Sequence, residues 1–189
     1  MQAIILCGGK GTRLKSALPK GLPKAMAEVC GKPFLYHLME YWEPYVDRFI
    51  LATGYGKNKI TEYFGNEFKR TSIVYTECTD GTAAAIKNAI EEILIKENGD
   101  PYSRQIFVIN GDTYFEISPF EMLEFHKKSG EHITLSYSSR EQIHAGVDIL
   151  ELRPKYHTRG TIVTHPGYFI DIGTPERLAE FRAYISEKA

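Results

Sequence analysis

The chain predicts an α/β fold with a mostly parallel, mixed central sheet, and three observations predict it. Short apolar runs alternate with segments of helical periodicity, the first run stops at a glycine-rich loop, and no repeat or low-complexity linker breaks the alternation. Parallel strands need helical crossovers on both faces of their sheet, so the expected architecture has three layers, α/β/α.

Each element can be justified in order. Ala3 to Cys7 is an apolar run halted by Gly8 and Gly9, as expected of a strand buried on both faces. Pro33 can open a helix through about Tyr45, with Phe34, Leu35, Leu38 and Met39 on one stripe, and Arg48 to Thr53 reads as the next strand. The alternation repeats with a helix near Lys57 to Phe64, a strand at Ser72 to Thr76, a helix from Thr82 to Lys96 and a strand at Gln105 to Asn110. Beyond Asp112 the pattern loosens into a helix near Pro119 to Lys128, strands near His132 to Tyr137 and Gly160 to Thr164, and a last helix from Pro175 to Glu187. One domain spanning residues 1–189 is expected.

Composition narrows the function. With 189 residues, 43% hydrophobic and 25% charged, the chain can bury a core of its own. Its 23 basic and 24 acidic side chains are mixed along the sequence, so no global positive field gathers nucleic acid or anionic lipid, and an anion must be bound locally. Cys7, Cys30 and Cys78 lack CxxC spacing, which signals neither a disulfide framework nor a zinc knuckle and suits a reducing cytoplasm. The opening residues carry no basic leader, and no apolar run reaches membrane-spanning length. The six histidines, at 37, 126, 132, 144, 157 and 165, follow no ligand motif, and Trp42 between Tyr41 and Tyr45 suits helix packing better than base stacking.

The loop from Leu6 through Gly8, Gly9, Lys10, Gly11, Thr12 and Arg13 to Leu14 reads as a phosphate cradle. Its glycines let backbone N–H groups approach an anion, and Lys10 and Arg13 add charge, although the same residues also suit a plain glycine turn. Two commoner phosphate motifs fail. Lys10 is followed by Gly11 and Gly31-Lys32 by Pro33, which breaks the P-loop pattern, and a dinucleotide fingerprint from Gly9 and Gly11 would end at Leu14 instead of glycine. Asp112 closes an apolar strand, where an open α/β sheet places ligand-binding groups, and is a candidate Mg²⁺ ligand or else a turn residue after Asn110-Gly111. Asp171, between Ile170 and Ile172, needs a partner because an unpaired buried carboxylate is costly, and Thr174 with Pro175 offers a helix cap just beyond it.

Three motifs in order, Gly8-Gly-Lys-Gly-Thr-Arg-Leu14, Pro23-Lys-Ala-Met26 and Gly31-Lys-Pro33, resemble the opening signature of the sugar-1-phosphate nucleotidylyltransferases, with Ala25 where the family usually carries proline. The resemblance implies a Rossmann-like fold in which residues 1–112 hold a nucleoside triphosphate and residues 113–189 form a sugar-binding half and C-terminal helix. It makes Arg13 and Lys24 the catalytic cations, reads the Asp171-Ile-Gly-Thr-Pro175 segment as the family's second metal-ligand motif, and so pairs Asp171 with Asp112 around Mg²⁺. Thr76 to Ala89 resembles the base-contacting loop and helix, with Gly81 and Thr82 at the nucleotide, although a well-packed helix start would look the same. Glu77 then stands where a carboxylate can accept from N1–H and the exocyclic amine of guanine, which favours GTP, and the closest branch is the heptose-1-phosphate guanylyltransferases.

The stretch between Asp112 and Asp171 is shorter than the family's usual insert and lacks its E-K-P motif. The nearest counterpart of its sugar-site segment is His144 to Ile149, with Gly146 lining the sugar, and Arg153 and Lys155 are sugar-phosphate contacts by charge or simply solvated cations. The partners implied are a nucleoside triphosphate and a sugar 1-phosphate, with neither nucleic acid nor membrane, and a homo-oligomer is left open. The alternatives are a nucleotide or sugar-nucleotide binding module without turnover and a non-sugar cytidylyltransferase.

Overall fold

The computed structural model describes residues 1–9, 11–14, 18–78, 81–96, 105–151 and 159–188. Its elements run β1 (Gln2–Leu6), β2 (Glu28–Val29), β3 (Lys32–Pro33), α1 (Phe34–Trp42), β4 (Arg48–Thr53), α2 (Lys57–Phe64), β5 (Glu67–Phe68), β6 (Thr71–Glu77) and α3 (Thr82–Lys96). They continue with β7 (Gln105–Asn110), β8 (Thr113–Phe115), α4 (Pro119–Ser129), β9 (Ile133–Ser138), β10 (Ile143–Glu151), β11 (Gly160–His165), β12 (Phe169–Asp171) and α5 (Pro175–Lys188).

Eight strands form one sheet in the order β11-β9-β10-β7-β1-β4-β6-β5. The expected mixed sheet is found: β7, β1, β4 and β6 are parallel neighbours, while β10 runs antiparallel to both β7 and β9. Alternate residues of the central strands feed two apolar layers. Ala3, Ile5, Phe49, Leu51, Phe107 and Ile109 pack with α1 and α5, whereas Ile4, Ile50 and Ile106 meet Ala89 and Ile93 of α3 on the opposite face. Burial on both faces is why these strands read as unbroken apolar runs.

The α1 stripe of Phe34, Leu35, Leu38 and Met39 is fully buried, together with Trp42. The helix stops at Trp42, short of the Tyr45 expected from periodicity, because Pro44 lacks the N–H the α pattern requires and the chain tightens into a 3-10 turn over Glu43–Tyr45. The larger difference is β10, which periodicity alone does not predict. Its residues pair with β7 through Val147↔Ile109 and with β9 on the other side, and a bulge between His144 and Asp148 scrambles the alternation that would have betrayed a strand.

Two short strands join distant parts of the chain. β12 pairs antiparallel with β8 in the register Asp171↔Thr113, and Ile172 N–H donates to the Asp112 carbonyl at 2.9 Å. This pairing carries Asp171 across from the far end of the chain to the end of β7.

Candidate functional site

The ends of β1, β4 and β6 lie side by side and meet through glycine. A Cβ on Gly8 would stand 2.6 Å from Cys78 Cβ, and one on Gly54 would stand 3.1 Å from the Gly8 carbonyl oxygen. Gly8 is therefore required by close packing at the floor of the glycine loop. Gly11 is required by its backbone: φ is +57°, and a Cβ there would also come within 2.9 Å of Lys24 Cβ. Gly9 has open space above it and borders a small cleft with Leu6, Lys24, Gly111 and Asp112. Thr12 and Arg13 are exposed on a short 3-10 turn anchored by buried Leu14. Lys10 lies outside the described residues.

Lys24 follows Pro23 in a 3-10 turn and is buried, with 8% of its surface exposed. Its ammonium donates to Asp112 Oδ2 at 2.8 Å and stands 3.6 Å from Asp171 Oδ1. A buried lysine is tolerable only with such partners, and two carboxylates aimed at one point need a cation between them. The remaining oxygens are also engaged. Asp112 Oδ1 accepts from Thr113 Oγ1 at 3.2 Å, Asp171 Oδ1 from the Gly173 N–H at 2.8 Å, and Asp171 Oδ2 from Arg177 Nη1 at 3.2 Å. Arg177 reaches Asp171 from the first turn of α5, which Thr174 caps by accepting from the Arg177 N–H at 3.4 Å, and its other nitrogen lies 3.5 Å from Glu141 Oε2.

The structure thus brings Lys24, Asp112 and Asp171 together beside the glycine loop. Thr113 and Arg177 were missed in the sequence. Arg177 was in principle legible, since a cation in the first turn of the helix after Asp-x-Gly-Thr-Pro lies six residues beyond the aspartate it can hold. Next to the cluster, burial and the Asp112 charge push the Cys7 thiol far above its ordinary range, so it stays protonated and unreactive.

Asp112 and Asp171 offer hard oxygens converging on one position. Such a donor set fits Mg²⁺, which takes one or two carboxylates and completes its octahedron with phosphate and water. Among the described residues no larger cluster of metal-ligating side chains exists.

Glu77 ends β6 beside Thr53 of β4, and its exposed carboxylate is 3.4 Å from Lys57 Nζ. Asn88 of α3 donates to the Glu77 carbonyl at 3.0 Å, tying the helix start to the strand end, and Gly81, with φ +91°, turns the chain into Thr82. Gly146 sits in the β10 bulge with φ +67°, so close to Asn110 that a Cβ would fall 2.3 Å from its Nδ2. It therefore packs against the last residue of β7, two positions before Asp112, whereas Arg153 and Lys155 lie outside the described residues. A cavity of about 390 Å³, within the range of small-molecule sites, flanks the loop between Gly11, Leu22 and Tyr55. Among the described residues no helix is long and apolar enough to cross a membrane.

Known proteins resemble this chain in sequence and in fold. A family model described as Nucleotidyl transferase matches residues 2–147. The D-glycero-alpha-D-manno-heptose 1-phosphate guanylyltransferase of Aneurinibacillus thermoaerophilus is 35% identical over 173 residues, which cover 86% of this chain and 71% of that protein. The protein of the same description from Campylobacter jejuni is 42% identical over 120 residues, covering 62% of this chain and 50% of its own length. Among solved structures, HddC from Yersinia pseudotuberculosis complexed with GMP-PN superposes with a TM-score of 0.75 at 27% identity, over 97% of this chain and 99% of that one.

Proposed function

The chain belongs to the nucleotidyl transferase family, and from that premise we propose that it joins a nucleoside triphosphate, GTP by preference, to a sugar 1-phosphate. The observation that carries the reading is the Lys24 ammonium held between Asp112 and Asp171 at the edge of the glycine loop. A phosphate oxygen of the sugar attacks the α-phosphorus, a new P–O bond forms there, and the bond to the bridging oxygen of the β-phosphate breaks to release pyrophosphate. Both reactants are anions, so the barrier is dominated by repulsion and orientation.

The residues divide that work. Backbone N–H groups of the Gly8–Gly11 loop, with Lys10 and Arg13, hold the triphosphate, and Leu6 and Thr12 border it. Glu77, Gly81 and Thr82 receive the base and ribose, and Gly146 borders the sugar. Lys24 leaves its carboxylates for the reacting phosphates and stabilises the charge that develops on the leaving group. Asp112 and Asp171 are the residues that would hold Mg²⁺, which would supply charge neutralisation and Lewis acidity. No covalent enzyme intermediate is needed. Residues 1–112 form the nucleotide half and residues 113–189 the sugar half of one domain. The guanylyl transfer and heptose 1-phosphate in the names of the two curated relatives make that pair the first substrates to try.

The test is a pyrophosphate-release assay with Mg²⁺ that screens GTP, ATP, CTP, UTP and dTTP against hexose, amino-sugar and heptose 1-phosphates. Release requiring one nucleotide and one sugar phosphate is expected. Nucleotide binding without release for any sugar phosphate would replace this reading with a binding module or a non-sugar acceptor.

A further inference from the structure

The carboxyl end of β6 has a second polar group beside Glu77 that the sequence did not single out. Lys57 is the first residue of α2, set by Gly56 with φ +70°, and its Nζ lies 3.4 Å from Glu77 Oε1. The close packing of Gly8, Gly54 and Cys78 places both residues beside the end of the glycine loop, since the Lys57 N–H donates to the Gly54 carbonyl at 3.2 Å and Glu77 adjoins Cys78. Both side chains remain open to solvent, 41% and 69% exposed, so a planar ligand can reach them. An ion pair this exposed contributes little to folding.

We propose that Lys57 and Glu77 together form the base-selecting edge of the site, a donor beside an acceptor that accepts keto bases and rejects amino bases; this rests on the reading of the glycine loop as the triphosphate cradle. Guanine presents a carbonyl oxygen, O6, next to two donors, N1–H and the exocyclic amine. O6 accepts from Lys57 while the two donors meet the Glu77 carboxylate. Uracil and thymine offer O4 and N3–H to the same pair but set a second carbonyl oxygen, O2, against the carboxylate. Adenine and cytosine invert the order, setting an amine against the ammonium and an unprotonated ring nitrogen against the carboxylate. The edge therefore ranks GTP first, UTP and dTTP next, and ATP and CTP last, because unpaired or opposed polar groups at a site discriminate more strongly than a missing contact.

The experiment measures calorimetric affinities and kcat/KM for GTP, UTP, dTTP, ATP and CTP in the wild type, Lys57→Arg, Lys57→Met and the charge-reversed double variant Lys57→Glu/Glu77→Lys. Lys57→Met is expected to lower the GTP-over-ATP ratio at least about tenfold, chiefly through Kd and KM, while Lys57→Arg keeps most of it. The reversed pair, with its charge balance kept, is expected to shift preference toward ATP and CTP by a similar factor, a change that a purely structural ion pair would not produce. Ratios unchanged within about twofold in both Lys57→Met and the reversed pair would overturn the proposal. Wild-type affinity that does not distinguish keto from amino bases would also overturn it. Failure to bind any of the five nucleotides would instead strike at the triphosphate reading beneath it.

Discussion

In β1, β4 and β7 the apolar runs are continuous, the strands are parallel, and both faces are covered. In β9, β10 and β11 buried and exposed residues alternate or the pattern is broken by a bulge, β10 runs antiparallel to both neighbours, and β11 is half exposed at the sheet's edge. The first region holds the glycine loop, Lys24 and Asp112. The second region and the strand beyond it contribute Gly146 and Asp171, which arrive through antiparallel pairing with partners distant in sequence, and α5 adds Arg177 against Asp171. A glycine loop can thus be encoded in one contiguous stretch, whereas a carboxylate pair shared between the regions depends on the register that docks one onto the other.

That contrast can be broken most sharply at its two carboxylates. Asp112→Ala and Asp171→Ala are each expected to lower pyrophosphate release about 10³-fold with the fold retained, since several kcal/mol of charge stabilisation is at stake at about 1.4 kcal/mol per decade. Activity surviving in Asp171→Ala alone would mean that the later region does not share the metal site. Lys24→Ala, and Arg13→Ala on the cradle itself, are expected to cost about 10²–10³ in kcat, as for removal of one preorganised donor to a developing charge. Their rates under saturating substrate are the check.

The regions should also differ in how they tolerate a methyl group. Gly146→Ala drives a Cβ into Asn110 and strains a residue at φ +67°, so a loss of about 1–3 kcal/mol is expected in denaturant unfolding. Gly9→Ala, with nothing within 4 Å of its Cβ, should unfold like wild type while weakening triphosphate binding if its N–H face meets the anion. A stable Gly146→Ala protein would show that β10 accommodates sequence changes as loosely as its irregular strand pattern suggests.

The smallest effect expected is a pH dependence confined to the later region. The hydrogen bond from His144 to Asp148, at 2.8 Å, raises the imidazole above its ordinary value of 6.5, outweighing partial burial, which lowers it. A group whose folded pKa is raised contributes stability below the unfolded pKa and loses it as pH rises through the folded one. Because His144 is about half exposed, solvent screens the pair, and His144→Gln should narrow the stability difference between pH 5.5 and pH 8.5 by well under about 1 kcal/mol. Equal slopes in variant and wild type would show that the pair carries no proton linkage.

What the sequence determined by itself is the architecture of the earlier region: the strand-helix alternation, the glycine loop and the strand end that carries Asp112, because buried parallel strands and loop glycines leave their signatures in contiguous residues, whereas Lys24 is marked only by the resemblance of its Pro23-Lys-Ala-Met26 motif to the family. β10 was not legible, because a bulge with Gly146 at positive φ erases the period of two and only pairing with β7 and β9 makes the segment a strand. Asp171 was recognisable as a carboxylate in need of a partner, but which partner was decided in space. The register Asp171↔Thr113 sets it opposite Lys24, and the docking of α5 lends it Arg177. The Lys57 contact with Glu77 is likewise tertiary, created where parallel strand ends, separated by whole crossovers in sequence, come to lie side by side. Local periodicity and backbone freedom are properties of neighbouring residues, whereas the meeting of charges from separate strands depends on long-range hydrogen-bond register, which no short stretch of sequence contains.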